Sequence, residues 1–261
     1  MRRWLALAAA TLTASVPAAP AAAQTGPPDP AKAIQQQFRA HHGVQIAEIS
    51  RTIYKDATSS RDRLTSRVQL GPTGPVAVDT SIRWVPDAKS AKAAETNELA
   101  AEMASPSYMT AVGGYLYTSG MYSLPQGKSW TRSELLRPVV DYASQQTTVN
   151  VLDPAALKTL LRGATVKPVS GGFYYQGTHA ELKISWRLWT DTTGLPKRLL
   201  TNKRVVGEHR LAKIERIDTR YSDWGMPLVV VPPPADEVID YEDLEDPYGS
   251  PKAEPKELIT R

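Results

Sequence analysis

The chain has 261 residues and no cysteine. This absence excludes disulfide bonds, thiolate catalysis, zinc–thiolate sites and the acylated cysteine that anchors many exported bacterial binding proteins. The sequence also lacks Gly-x-Ser-x-Gly and Ser-x-x-Lys, the nucleophile motifs of two classes of serine enzyme. Gly127-Lys128-Ser129 resembles the end of a phosphate-binding loop, but Tyr122 stands where that loop needs its first glycine. We therefore predict that the protein is not an enzyme and needs no cofactor.

Histidine is also scarce, with four residues in the chain. His41 and His42 are adjacent, so on a helix their side chains point about 100° apart, and no further histidine or carboxylate pair follows at ligand spacing. The sequence therefore predicts no metal site.

Long apolar runs are missing, and the N-terminal one is short. Arg2 and Arg3 precede the apolar residues 4–12, and Ala21-Ala22-Ala23 fits a small-x-small cleavage site. The apolar stretch is well below the ~18–20 residues that span a bilayer. The pattern predicts a secretory signal at residues 1–23 and a location outside the cytoplasmic membrane, either secreted or in the cell envelope.

The charge of the chain is unevenly distributed. The net charge is +4, yet residues 236–261 carry nine acidic and three basic groups, so residues 24–235 hold 26 basic and 18 acidic groups. A basic domain favours anionic partners such as phospholipid headgroups or wall polymers, although evenly spread solubilising charge gives the same total. We predict transient contact with an anionic membrane surface, no nucleic-acid partner and a monomeric protein.

Composition divides the remaining chain into three parts. A Pro/Gly linker at residues 24–30 precedes a single domain at 31–240, and an acidic, proline-broken tail at 241–261 is predicted to be disordered. Asp29-Pro30 and Asp153-Pro154 each predict the start of a helix, because aspartate caps free N–H groups and proline suits the first helical position.

Alternating apolar residues predict strands over most of the domain. Leu182, Ile184, Trp186 and Leu188 fall on one face of a strand, and the turn after it is flanked by Asp191 and Arg198, which we expect to pair. Hairpins are predicted over residues 44–84. Further strands are predicted over residues 95–132, where Tyr115 and Tyr117 share one face and Gly113-Gly114 marks a bulge or bend. Residues 133–150, which Pro138 interrupts, are predicted to form a mobile lid.

Three segments together resemble the LppX/LprG-type branch of the LolA-like lipoprotein-carrier superfamily of exported bacterial proteins. They are residues 153–161, residues 188–199, and residues 218–225 with 233–238. The resemblance implies an α+β fold, with a curved antiparallel β half-barrel whose concave face is covered by helices and accepts acyl chains. This chain differs from that branch in having Ala-Ala-Ala-Gln where the acylated cysteine would stand.

This resemblance implies a carrier or sensor that binds a lipid or acylated ligand between sheet and helices. Ligand-binding candidates are the apolar residues before and within the predicted lid, although a closed core explains them equally well. They are Tyr115, Tyr117, Met121, Trp130, Leu135, Leu136, Val139 and Tyr142. The alternative function is an envelope regulatory or interaction module with a filled interior. An apolar cavity of several hundred Å³ distinguishes the carrier from the module.

Overall fold

A computed structural model describes residues 26–54, 59–85, 105–145, 149–181, 183–206 and 212–245. The predicted signal segment at 1–23, residues 95–104 of the predicted strand region, residues 146–148 of the predicted lid, Leu182 of the predicted apolar strand face and residues 246–261 of the predicted tail lie outside these residues. Within the described start of that tail, Tyr241–Asp243 forms a 3-10 helix.

The domain is built on one sheet of twelve strands. The strands are β1 His42–Tyr54, β2 Ser59–Gly71, β3 Gly74–Trp84, β4 Ser107–Val112, β5 Tyr115–Ser119, β6 Trp130–Glu134, β7 Thr165–Val169, β8 Gly172–His179, β9 Ile184–Thr190, β10 Pro196–Val206, β11 Ala212–Pro227 and β12 Val238–Asp240. Their order across the sheet is β12-β6-β5-β4-β3-β2-β1-β11-β10-β9-β8-β7. Neighbouring strands are antiparallel except for the pair β12–β6, which is parallel.

Two antiparallel meanders make up this sheet and meet at one ladder. The first meander runs through β1–β6 and the second through β7–β11, and the long strands β1 and β11 join them with Ile46 opposite Tyr221. Among the described residues, β12 and β7 form the two free edges, so the sheet is open. The predicted antiparallel α+β architecture is therefore present, but as a mostly β structure with few helical residues.

Two short helices lie at one end of the sheet and contact each other. Helix α1 spans Pro30–Gln35 and helix α2 spans Pro154–Leu161. Asp29 accepts hydrogen bonds from the backbone N–H groups of residues 31 and 32, and Asp153 does the same for residues 155 and 156. Both predicted helix starts are confirmed. With only six and eight residues, however, these helices do not form the extensive cover that the resemblance implied.

The hydrophobic core lies on one face of the sheet, which we call the inner face. The opposite side is the outer face. Alternation along β9 places Ile184, Trp186 and Leu188 on the inner face and leaves Arg187 exposed, as the sequence predicted for this strand. The inner-face residues of β1, β2, β3 and β10 join the same core, which Ile34 of α1 and Leu157 of α2 complete. The core lies between the inner face and these helices. The cover segment described below packs on the same core.

Two turns differ from their predicted form. Gly113 and Gly114 do not form a bulge; they make the two-residue turn between β4 and β5, with φ values of 62° and 85°. Successive positive φ angles are what such hairpin turns need and what glycine permits. Asp191 does not pair with Arg198. Its carboxylate instead accepts hydrogen bonds within its own turn, from the backbone N–H groups of Thr193 and Leu195.

Candidate ligand-binding site

The inner face is closed in its middle by an irregular stretch that we call the cover segment, residues 135–145 and 149–152. It contains one turn of 3-10 helix at Val139–Tyr142. Pro138 precedes that turn with an extended backbone, so it breaks the chain direction as its fixed φ requires. Tyr142 and Ala143 are buried in the core. The segment thus packs on the sheet without the regular hydrogen bonding of a strand or a long helix.

Two hydroxyl side chains of the sheet hold the cover segment. Ser66 Oγ donates to the carbonyl oxygen of Ala143 at 2.8 Å, and Thr80 Oγ1 donates to that of Tyr142 at 2.9 Å. The two hydroxyl oxygens are 2.8 Å apart, and both side chains are fully buried. Buried carbonyl groups require a partner, because leaving one unpaired costs about 1–3 kcal/mol. These contacts satisfy the irregular backbone that crosses the core here.

A buried carboxylate provides the third attachment. Glu48 lies on the inner face of β1 and is 1% exposed. Its carboxylate accepts hydrogen bonds from Ser144 Oγ at 2.5 Å and from the Gln145 backbone N–H at 2.9 Å, both in the cover segment. From the sheet side it accepts a third, from Thr219 Oγ1 at 2.9 Å. Glu48 therefore links the cover segment to the central strands β1 and β11.

Burial raises the pKa of Glu48, and the hydrogen bonds from Ser144, Gln145 and Thr219 only partly oppose that rise. The neighbouring Tyr221 hydroxyl also has a raised pKa, because of its burial and the nearby Glu48 carboxylate. No described basic side chain forms an ion pair with Glu48. The site therefore contains a buried carboxyl group that is held by three hydrogen bonds and has no cationic partner among the described residues.

The described residues leave almost no space beneath residues 140–144 of the cover segment. The hollow there measures about 30 Å³ and is bordered by Ile46, Val140, Val151 and Tyr221, among others. That volume equals the share of one water molecule in the liquid. A ligand cavity is therefore not preformed under residues 140–144, whereas a hollow of about 390 Å³ lies between Val149, helix α2 and His179 of β8.

Beyond Glu48 the inner face is less protected. Trp84, Ser50 and Ile217 lie in one cross-strand row on β3, β1 and β11, and all three are half-buried. Ile82, one row nearer the cover segment, is also half-buried. Partly exposed apolar side chains continuous with the core provide a surface on which an apolar ligand can pack.

The eight candidate residues from the sequence divide between the two sides of the sheet. Tyr115, Tyr117 and Trp130 are on the outer face. Tyr115 lies opposite Glu134 and Tyr117 opposite Arg132, and Trp130 shares the face of Arg132, whereas the core residues of these strands point to the other side. Leu135, Val139 and Tyr142 pack on the core from the cover segment. Two others are largely exposed: Met121 by 51% and Leu136 by 88%. The structure thus brings three of the eight together on the inner side.

Sequence reasoning missed the polar groups that hold the cover segment. The signal was present in the alternation itself. Val44, Ile46 and Glu48 occupy successive inner positions of β1, and Ser66 lies between Leu64 and Val68 on β2. A charged or hydroxyl residue at a core position of a regular strand indicates that a buried partner must exist.

Other kinds of site are not found among the described residues. No group of three histidine, aspartate or glutamate side chains there could hold a metal ion. The helices of the described chain are too short or too polar to cross a bilayer.

Comparisons with known proteins give only distant similarities. No protein-family model matches the chain, and no curated protein matches it. A LolA superfamily protein from Nitrosomonas europaea is similar in structure, with 13% identity and a TM-score of 0.29 over 78% of this chain and 93% of that one. A DUF1329 family protein from Desulfovibrio piger has 9% identity and a TM-score of 0.28 over 77% and 92%.

A third similar structure is a domain assigned to outer membrane lipoprotein sorting in Vibrio parahaemolyticus. It has 8% identity and a TM-score of 0.28 over 74% of this chain and 89% of that one. The LolA-like superfamily and its LppX/LprG branch both stay predictions for this chain. At such low identities and TM-scores, none of these similarities supports a functional role for this chain.

Proposed function

We propose that the chain is an exported, non-enzymatic carrier or sensor that binds the apolar part of a lipid on the inner face of its sheet, under the cover segment. The observation that carries this proposal is the way the cover segment is attached. It lies over an apolar core, but its polar attachments are hydrogen bonds that Ser66 and Thr80 donate to it and that the Glu48 carboxylate accepts from it. Such bonds can be exchanged for bonds to water when the segment lifts, so lifting exposes apolar surface without stranding polar groups.

Lifting the cover segment produces the volume that the closed conformation lacks. Tyr142 and Val139 would leave the inner face, and the row at Ile82 and Trp84 would then continue into the vacated space. Burial of apolar ligand surface there is worth about 25 cal/mol per Å², so an acyl chain that contacts a few hundred Å² offsets the opening. No charged anchor for the ligand is needed.

An engineered disulfide tests whether the segment must lift. The chain has no native cysteine, so Ser66→Cys/Ala143→Cys contains the only possible pair, between two residues that a hydrogen bond already joins. Formation of the disulfide, which needs Cβ atoms about 3.5–4.5 Å apart, is verified by thiol titration before the uptake assay. Lipid retained by the exported protein is measured by native mass spectrometry, and uptake by the fluorescence of a fatty-acid probe. We expect uptake by the reduced variant and little by the oxidised one. Equal uptake by both forms would refute binding under the cover segment.

The second candidate is an envelope regulatory or interaction module, and the small hollow of about 30 Å³ under residues 140–144 favours it. On this hypothesis the interior is permanently filled and no lipid enters. A protein that carries no lipid from its host, and takes up no probe in either redox form, supports the module over the carrier.

A further inference from the structure

The outer face of the central sheet carries an unusual concentration of arginine. Period-2 alternation places ten described arginines on this face over β3, β2, β1, β11, β10 and β9, three of them on β2 and two each on β10 and β11. The same face of these strands has two described carboxylates, Asp79 and Asp218, which gives it a net charge of +8. We call this surface the arginine face.

Most of these arginines form no ion pair with a described carboxylate. Asp79 pairs with Arg67 and Asp218 pairs with Arg198. The other eight have no described carboxylate within 4.0 Å. Seven of the eight are exposed, and the eighth, Arg51, is half-buried. Their guanidinium groups are therefore available to bind anions from outside the protein.

The arrangement also opposes folding. Arg51 faces Arg61 on one side and Arg216 on the other, and Arg63 faces Arg83. Like charges directly opposite each other on adjacent strands destabilise a sheet. A protein that only needed solubility would alternate the signs of its charges, as the pairs Arg67–Asp79 and Arg198–Asp218 do. The repulsion at the remaining positions indicates an external anion that relieves it.

Apolar groups accompany the positive charge. Ile49 is 40% exposed and Ile214 is 43% exposed, both on the arginine face. Ile49 lies in a depression of about 310 Å³ whose border includes Arg63 and Arg220. Guanidinium groups surrounding an exposed aliphatic side chain suit a surface that is anionic outside and hydrocarbon beneath.

We propose that the arginine face docks on an anionic phospholipid membrane. Six strands extend about 24 Å across the sheet, so the charges spread over a plane rather than along a line. Single-stranded nucleic acid, in contrast, is bound by aromatic side chains on which bases stack. The exposed apolar groups among these arginines, Ile49 and Ile214, are aliphatic, and the aromatic side chains of the outer face lie towards its sides, at Trp189 on β9 and at Tyr108 and Tyr115 on β4 and β5. Docking here places the protein on a membrane by its outer face, and it does not depend on lipid binding at the inner face.

The test uses the full chain and vesicles of phosphatidylglycerol and phosphatidylcholine at 30:70, compared with pure phosphatidylcholine. The face variant is Arg51→Gln/Arg63→Gln/Arg216→Gln/Arg220→Gln. The matched control removes the same charge elsewhere, by Lys32→Gln/Arg39→Gln/Lys158→Gln/Arg162→Gln. Each basic residue near an anionic surface changes binding about fivefold, so the face variant should bind more than 100-fold more weakly. The control should stay within about threefold of the unmodified chain.

Two further measurements separate docking from other effects. Thermal melts report folding of the face variant, which should melt no lower than the unmodified chain because repulsion has been removed. The single change Ile49→Ser leaves every charge in place and should weaken binding to the anionic vesicles. It should not change binding to the soluble polyanion polyphosphate.

Several outcomes overturn the proposal. They are no binding of the unmodified chain to anionic vesicles, equal binding to neutral ones, an equal loss in face variant and control, or no effect of Ile49→Ser on vesicle binding. Tighter binding to duplex DNA than to the vesicles at the same salt concentration would reassign the face to nucleic acid.

Discussion

Substitution of Glu48 tests the link between sheet and cover segment. Glu48→Ala removes the acceptor of three hydrogen bonds. Thr219 is fully buried and cannot turn to water, so its unpaired hydroxyl costs about 1–3 kcal/mol. Ser144 and Gln145 are half-exposed and recover part of their loss through water. We expect a total decrease of about 2–4 kcal/mol in the free energy of unfolding, and about 1 kcal/mol for Glu48→Gln, which keeps an acceptor.

The pH dependence of this effect has a definite sign. Burial raises the folded-state pKa of Glu48 above the ordinary value of 4.5, so between the two pKa values the folded protein binds more protons than the unfolded chain. The stabilising contribution is fully present below the unfolded pKa and is lost as pH rises through the folded pKa. Relative to Glu48→Gln, the unmodified chain should therefore gain stability as pH falls from 7 to 4.

Urea unfolding and hydrogen exchange provide the assay. Exchange of the amides at 139–145 should accelerate by about tenfold for each 1.4 kcal/mol by which Glu48→Ala destabilises the closed segment. Ile49→Thr, on the same strand but on the outer face, should change stability by less than about 0.5 kcal/mol and leave this exchange unaltered. Unchanged exchange at 139–145 in Glu48→Ala, or a pH trend of opposite sign, would refute the role of Glu48 as the link.

Three further predictions concern residues of the sheet and of helix α2, and each is measured by urea unfolding. Asp218→Asn should lower the free energy of unfolding by about 0.5–1 kcal/mol at pH 7. The hydrogen bond from Arg198 lowers the pKa of Asp218, so the stabilising contribution of this carboxylate is lost as pH falls through that pKa and the two proteins should become equally stable in acid. A difference that persists at pH 2 would contradict this prediction. Asp153→Ala should cost about 1 kcal/mol through loss of the α2 cap, whereas Asp153→Asn should be nearly neutral. Gly172→Ala should cost about 3 kcal/mol, because its new Cβ would lie 1.9 Å from the Thr190 carbonyl oxygen, and an unchanged midpoint would show that β8 can shift.

Local patterns predicted much of the fold. Asp-Pro pairs predicted both helix starts, because the cap and the first helical turn depend on adjacent residues only. Strict alternation predicted the inner face of β9 for the same reason. The pairing of β1 with β11 was not predictable in this way, since it joins residues from opposite ends of the domain.

The candidate site was predicted less well, for a physical reason. Tyr115 and Tyr117 share a face, as expected, but which face of β5 meets the core depends on its neighbours across the sheet. Their aromatic character suggested a pocket, yet it serves the outer face, where Arg132 lies over the Tyr115 ring at 5.1 Å. The side chains that hold the cover segment are small and polar or charged, so a search for apolar residues does not select them.

The ladder between β1 and β11 has a consequence for how the chain acquires its structure. Each meander is formed from contacts between neighbours in sequence, but their junction pairs residue 46 with residue 221. Closure of so large a loop carries an entropic cost before any contact rewards it, and a high contact order slows folding. The central ladder, and with it the Thr219–Glu48 contact, can form only after nearly the whole domain has been synthesised. The inner face is therefore completed late in folding.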